Sequence, residues 1–300
     1  MKTRRDTLKL FLATLAAAPL AGAESLSPPV AVRIVDAQTQ FYDPTRPQGV
    51  PWPEKDSPLY HSAYPKDWLA AASPLGVRET IVVECSKWPQ DNDWILNLAA
   101  KEKSILGFIG RLQPGTADFP KELKRLAANP IFRGIRVDGD DLRNNISTAE
   151  FATNARLLAD MDLVLELNGL DDLEPIARLA DRVPSLRIVL EHLGNPGDPQ
   201  NLRAGWKDGI TALSKRRNVT AKVTGLAGAG SCRPVLDHAW EAFGDERLLF
   251  GSGWPVASSG TSYAGLFSIV AEFFKTKGGE ACEKFFWKNS QAAYKWVDRA

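Results

Sequence analysis

Histidine is scarce in this chain, which has only His61, His192 and His238. One of them stands in a segment whose residue types could do chemistry, Leu190-Glu191-His192-Leu193-Gly194-Asn195-Pro196. A neutral imidazole near pH 7 can take a proton from water, so His192 is a candidate general base. Lys222, within Ala221-Lys222-Val223-Thr224-Gly225, and Arg136, ending Gly134-Ile135-Arg136, could polarise a carbonyl and hold a developing oxyanion. Glu84, opening Glu84-Cys85-Ser86, offers a second carboxylate. A base, a cation that can polarise a carbonyl and a carboxylate are the parts of a general acid–base site. For Lys222 the alternative is a buried lysine paired with a carboxylate, which is a structural role. The other two histidines are expected in packing or at the surface, His238 in a helical pattern and His61 in a proline-rich loop.

These residues need elements that bring them together. Eight β-rich runs recur, near Val32–Ala37, Thr80–Cys85, Ile105–Gly110, Phe132–Val137, Leu163–Leu167, Leu186–Glu191, Val219–Thr224 and Leu248–Ser252. They carry Val, Ile and Leu on both parities, as parallel strands covered on both faces do. Amphipathic stretches lie between them, including Asp91–Lys103, Asp171–Val183 and Pro234–Phe243. Ser147-Thr148-Ala149-Glu150 reads as a capping box opening another helix. Strand–helix alternation at roughly 25–30 residues, eight times over, predicts a single (β/α)8 TIM barrel. A doubly wound sheet would want a glycine-rich fingerprint after its first strand. Gly228-Ala229-Gly230 comes late and lacks the third glycine.

In such a barrel the strand ends form the site. Strand parity puts His192 on the face of Ile188 and Leu190 and turns Glu191 towards the helices. The glycine-rich stretch Gly225–Ser231 is a candidate anion-binding turn, or simply a flexible one. The first connection is long, from Phe41 to Pro74, and holds seven prolines with Trp52, Tyr60, Tyr64 and Trp68. It is expected either to cover the barrel mouth or to wrap the surface.

Composition bounds the partners. The formal charge of +1 and the lack of a long basic run argue against a nucleic-acid surface. No apolar stretch reaches the roughly 18 residues of a membrane span. Met1 to Ala23 reads as a signal peptide, with Lys2, Arg4, Arg5 and Lys9 leading into an apolar run and Ala21-Gly22-Ala23 as cleavage pattern. Its adjacent arginines look like a twin-arginine signal, although Thr7 stands where a bulkier apolar residue is usual. The expected domains are therefore the leader, 1–23, and one barrel, 24–300, in a periplasmic or secreted protein. Removing the leader takes away four cations and Asp6, a net +3, and leaves the mature chain at −2. Cys85, Cys232 and Cys282 are an odd number and allow at most one disulfide. Cys85 ends an apolar strand and is expected to pack rather than react. No Gly-x-Ser-x-Gly elbow, phosphate loop, His-Glu-x-x-His helix or paired Cys-x-x-Cys competes for the chemistry.

Taken together, Asp36-Ala37-Gln38-Thr39-Gln40, Glu191-His192-Leu193-Gly194-Asn195-Pro196 and Gly251-Ser252-Gly253-Trp254-Pro255 resemble the amidohydrolase-related (amidohydrolase 2) family. The similarity runs from about Ile34 to the Asn289–Tyr294 segment and is to the branch of sugar lactonases and pyrone-dicarboxylate lactonases. That resemblance implies a His-x-His pair where this chain has Gln38 and Gln40, and an aspartate where it has Gly253. Of the implied metal positions (Gln38, Gln40, His192 and Gly253) only His192 keeps a strong ligand, because a glutamine amide is a weak one. The expectation is accordingly no tightly bound metal and no cofactor. His192, Lys222 and Glu84 are the expected catalytic set, with Gln38, Gln40, Arg136 and Trp254 as substrate contacts. The implied activity is hydrolysis of a lactone or ester of a sugar-like acid, and the small-molecule substrate is expected to be carboxylated or sugar-like. The alternative is an inactive barrel that binds a carbohydrate or a protein partner.

Overall fold

The computed structural model describes residues 32–168, 170–226, 232–256 and 261–299. The expected leader and most of the Gly225–Ser231 turn lie outside them. Eight parallel strands run in chain order around a TIM-barrel-like α/β fold. They are β1 (Val35–Thr39), β2 (Glu79–Val83), β3 (Ile105–Gly110), β4 (Phe132–Asp138), β5 (Val164–Asn168), β6 (Arg187–Leu190), β7 (Val219–Val223) and β8 (Leu248–Phe250). The ring closes just beyond β8, where Thr39 and Trp254 form a parallel bridge and the Gln40 N–H donates to the Trp254 carbonyl at 2.8 Å.

The strands sort their side chains by parity into two layers. Ile135, Leu165, Leu167, Ile188, Leu190 and Phe250 pack beneath the helices. Val35, Ala37, Ile81, Val83, Val164, Val189 and Leu249 fill the barrel interior. Both sets are apolar, which is why the strands carry no simple alternation. Helices cross between strands as the sequence expects. Among them are α1 (Pro65–Ala72), α2 (Asp91–Lys101), α3 (Phe119–Ala127), α4 (Gly139–Asn145) and α5 (Ala149–Asp160). The N-cap of α5 is Thr148, whose hydroxyl accepts from the Phe151 N–H, one residue later than the expected capping box.

The chain's last helix, α6 (Asn289–Tyr294), closes the floor. Ala293, Tyr294 and Trp296 pack against the interior aliphatic layer. The Trp296 indole N–H donates to the Ser290 hydroxyl, and the Arg33 guanidinium lies 4.7 Å over its ring. The first connection is an ordered cover at the opposite end, not a loose wrap. Tyr42 and Ala63 exchange backbone hydrogen bonds at 3.1 and 2.9 Å. Asp43 accepts from Thr45, Ser62 and Tyr64, and these bonds hold its carboxyl well below the usual range although burial opposes its charge. Arg46 ties the loop to α2 through Asp91 at 2.8 Å. Among the described residues no helix is long and apolar enough to cross a membrane.

Candidate functional site

A cavity of about 860 Å³ opens where the strands end, with Gln38 and Gln40 from β1 and its extension, Arg136 from β4 and Asn168 from β5 in its wall. His192, Thr224 and Gly225 line the side beyond β6 and β7, and Trp52 of the covering loop reaches in from above. This is the end at which barrel enzymes place their chemistry.

Beneath the cavity lies a charged layer that the interior parity creates. Glu166 on β5 and Lys222 on β7 are fully buried and paired, with Nζ 3.0 and 2.9 Å from the two carboxylate oxygens. The Tyr294 hydroxyl rises from the floor to donate to Glu166 at 2.5 Å. Arg136 Nη2 stands 3.0 Å from the Glu191 carboxylate. On its other side Asp138 lies 3.5 Å from Arg136 Nε and is gripped by Arg111 at 2.8 Å. Burial pushes the Glu166 carboxyl up, and neighbouring Glu191 adds to this against the pull of Lys222. Burial also opposes charge on Glu191, but Arg136, His192 and Lys222 together hold that carboxyl low.

Glu191 thus points into the barrel, opposite to its expected orientation. It shares the parity of Val189, whereas Ile188 and Leu190 face the helices. His192 nevertheless reaches the cavity, because the chain leaves β6 in a left-handed turn. His192 has φ 50° and ψ 34°, and Leu193 has φ 49° and ψ 31°. Two consecutive non-glycine residues in this region are strained, and such strain persists only where surroundings enforce it. Here the Trp206 indole N–H donates to the Leu193 carbonyl at 2.7 Å, and Arg203 donates to the carbonyls of Gly194 and Asn195.

The imidazole that this turn delivers is neutral. Burial pushes its pKa down to about 4, with Glu191 pulling upward and Arg136 and Lys222 pushing further down. Nε2 lies 3.6 Å from Glu191 Oε2, too far for a hydrogen bond but close enough for the charge to matter. Nδ1 has no hydrogen-bond partner. Gly225 has φ +68°, and a Cβ there would come within 2.9 Å of Nδ1, so glycine is what lets the imidazole pack against this turn.

Four more buried polar atoms on cavity-lining side chains lack a hydrogen-bond partner, Gln38 Oε1, Gln40 Oε1, Thr224 Oγ1 and Arg136 Nε, the last with Asp138 3.5 Å away. Buried polar groups are ordinarily satisfied, and a cluster of exceptions marks a place where something else supplies the bonds.

The remaining expected site residues are placed elsewhere. Lys222 sits under the cavity with its ammonium committed to Glu166, the paired-lysine alternative. Glu84 shares the parity of Val82, so its carboxylate turns out of the barrel and accepts from the Ser86 N–H at 2.6 Å. Burial raises it to about 7. Trp254 is not in the wall either; the turn at Gly253, φ +69°, carries it against Phe41 at 5.9 Å. The aromatic side chain in the mouth is Trp52, braced edge-on by Tyr42 at 5.5 Å. Cys85 does line the cavity, but burial pushes its thiol well up, and all three cysteines are free. His238 lies tilted against Trp206 at 5.4 Å and His61 is exposed, away from the chemistry.

The family model for amidohydrolases matches residues 35–296, nearly the whole described chain. The chain belongs to the amidohydrolase family. Two L-fucono-1,5-lactonases are similar to it. That of Burkholderia ambifaria is 28% identical over 236 residues, covering 74% of this chain and 80% of that protein. That of Burkholderia multivorans is 25% identical over 244 residues, covering 75% and 82%. Among solved structures, an amidohydrolase from Burkholderia multivorans with bound zinc superposes with a TM-score of 0.80 at 22% identity, over 88% of this chain and 99% of that one. A probable 2-pyrone-4,6-dicarboxylic acid hydrolase from Acinetobacter baumannii gives a TM-score of 0.69 at 17% identity, over 88% and 99%.

As an amidohydrolase the protein is a hydrolase, and its departures from the family pattern are specific. At the positions where the motifs imply metal ligands, this member offers two neutral amides, one imidazole and Gly253. Among the described residues no group of three or more His, Cys, Asp or Glu side chains could hold a metal ion. Zinc is ordinarily held by imidazole, thiolate and carboxylate donors, so this donor set does not fit one. Glu191 and Asp36 do not supply the missing carboxylate. Glu191 is held by Arg136, and Asp36 accepts from the N–H groups of Gln38 and Ser252, the Trp68 indole and the Tyr263 hydroxyl.

Proposed function

We propose that this amidohydrolase hydrolyses the lactone of a polyhydroxylated, sugar-like acid without a tightly bound metal, using His192 as the general base. The observation that carries this is a set of buried polar atoms without hydrogen-bond partners on side chains that line one cavity. Gln38 Oε1 and Gln40 Oε1 can accept from ligand hydroxyls, Arg136 Nε can donate to a carbonyl or carboxylate oxygen, and His192 Nδ1 can take a proton. The L-fucono-1,5-lactonase names of its relatives support the same bond type.

The steps follow from the placement. Water between His192 and the lactone gives its proton to Nδ1 as its oxygen bonds to the carbonyl carbon. The carbonyl oxygen takes up the negative charge, and the Arg136 guanidinium stabilises it in a site shielded from bulk water. Glu191, negatively charged beside Nε2, favours the imidazolium that forms, as the carboxylate partner of a catalytic histidine does. The tetrahedral adduct then collapses. The bond to the ring oxygen breaks, that oxygen receives the proton from His192, the new carboxyl group loses its remaining proton to solvent, and the open hydroxy acid is released with its carboxylate beside Arg136. Trp52 offers an apolar face to the ring, and Lys222 acts only by keeping Glu166 buried and neutralised.

A panel of aldonic 1,4- and 1,5-lactones, simple esters and amides, followed by acid release in a weakly buffered indicator assay, tests the assignment. Saturable turnover of sugar lactones above esters and amides is expected. Turnover confined to amides, or saturable ligand binding with no acid released, would contradict it. The second outcome would favour a barrel that only binds.

A further inference from the structure

A second chamber of about 640 Å³ adjoins the cavity and shares Lys87, Arg111 and Arg136 with it. These three basic side chains are the wall common to both. Beyond the wall the floor is apolar, formed by Leu112, Phe119 and Val137, all buried. The rim is polar, with Gln113, Thr116, Lys121 and Asp141. An apolar face edged with donors and acceptors is the surface a sugar ring presents in mirror image.

The chamber is preformed. The Asn92 side chain accepts from the Arg111 N–H at 2.8 Å and donates to the Arg111 carbonyl at 2.9 Å and the Pro89 carbonyl at 3.0 Å. That pins the β3–α3 connection against α2. Thr116 donates to the Gln113 carbonyl at 3.1 Å, and Gln113 donates to Asp141 at 3.2 Å. Pockets of roughly 300–1,000 Å³ each suit a whole small molecule. The main cavity alone already has that size, and a single sugar lactone would leave the adjoining chamber unused.

We propose that this chamber is a second sugar subsite, so that the substrate is the lactone of an acid two sugar rings long, lying across the wall at Lys87 and Arg111. The proposal rests on the lactonase function above and specifies its substrate. The lactone ring lies over Gln38, Gln40 and His192, with its carbonyl towards Arg136, and the second ring lies on Leu112 and Val137 between Thr116 and Asp141. Lys87, exposed at the common wall, donates to the glycosidic or ring oxygens as the chain passes.

The test compares glucono-1,5-lactone with cellobiono-1,5-lactone and lactobiono-1,5-lactone in the wild type and in two chamber-filling variants, Thr116→Trp and Lys121→Trp. Both positions are exposed, one in a turn and one on α3, so the two variants guard against a folding failure of either. Wild type should show kcat/KM at least about tenfold higher for one of the two-ring lactones, equivalent to about 1.4 kcal/mol of added binding. Each variant should bring that ratio down towards one. Equal constants for one and two rings, or a ratio that neither variant changes, would overturn the second subsite. Turnover of none of the three lactones would remove the lactonase assignment along with it.

Discussion

His192→Gln is expected to lower kcat on the best lactone substrate by about 10²–10⁴-fold, the usual contribution of a positioned general base. Glutamine fills similar space and keeps hydrogen-bonding capacity, so binding of the product acid should change far less than turnover. The pH dependence carries the mechanism. Burial pushes the imidazole down to about 4, so the ring is already neutral throughout the physiological range. Wild-type kcat/KM should be flat from about pH 8 to 5 and fall on the acid side near pH 4, not near the 6.5 of a free histidine. That limb should vanish in His192→Gln. Stability shifts in the same window. The unfolded chain binds a proton at His192 below about 6.5 that the folded protein refuses until about 4, so folding stability falls as pH drops through this interval. The variant should lose less stability over that range than wild type. An acid limb near 6.5 in wild type, or a variant with near-normal kcat, would rule out a neutral, partly desolvated His192 as the base.

Lys222→Met is expected to destabilise the fold by about 3–5 kcal/mol, because it leaves the Glu166 carboxylate buried without its cation. Both partners are fully buried, and Tyr294 can satisfy only one of the carboxylate oxygens. Adding Glu166→Gln removes the uncompensated charge and keeps an acceptor for the Tyr294 hydroxyl, so the double variant should recover most of the loss. Acid should also relieve the single variant. A lone buried carboxyl has a folded pKa above its unfolded value, so it binds its proton first in the folded state. The deficit therefore shrinks as pH falls. Urea midpoints at pH 5 and pH 8 for the wild type, the single and the double variants measure all of this. A single variant within about 1 kcal/mol of wild type at pH 8 would mean that the pair is not desolvated. Where Lys222→Met remains folded, its kcat should fall less than that of His192→Gln, which separates a supporting lysine from a catalytic one.

The barrel was legible because its strands announce themselves as apolar runs at regular spacing. The same property hid the direction of the side chains. Glu191 follows the apolar run Ile188-Val189-Leu190 and Glu166 sits between Leu165 and Leu167, so alternation cannot say which residue faces the interior. Glu166 finds its partner Lys222 only because two strands 56 residues apart meet the same barrel axis. Type and motif single out His192, but its route to the cavity depends on a left-handed turn. Gly194-Asn195-Pro196 was the available hint, since these residue types cluster in turns. A motif that ends a strand points Trp254 to the mouth, yet a positive φ at Gly253 sends it into the core. Trp52 stood in plain sight within the proline-rich loop, but only the fold shows which of that loop's aromatic residues reaches inward.

The most direct test is metal content measured alongside turnover on one preparation. Inductively coupled plasma analysis of the purified protein should find far less than one equivalent of zinc or manganese. Exhaustive chelation should then leave lactone turnover unaltered, and adding either metal back should not raise it. One equivalent of metal whose removal abolishes turnover and whose return restores it would contradict a site built on Gln38, Gln40 and a single neutral His192.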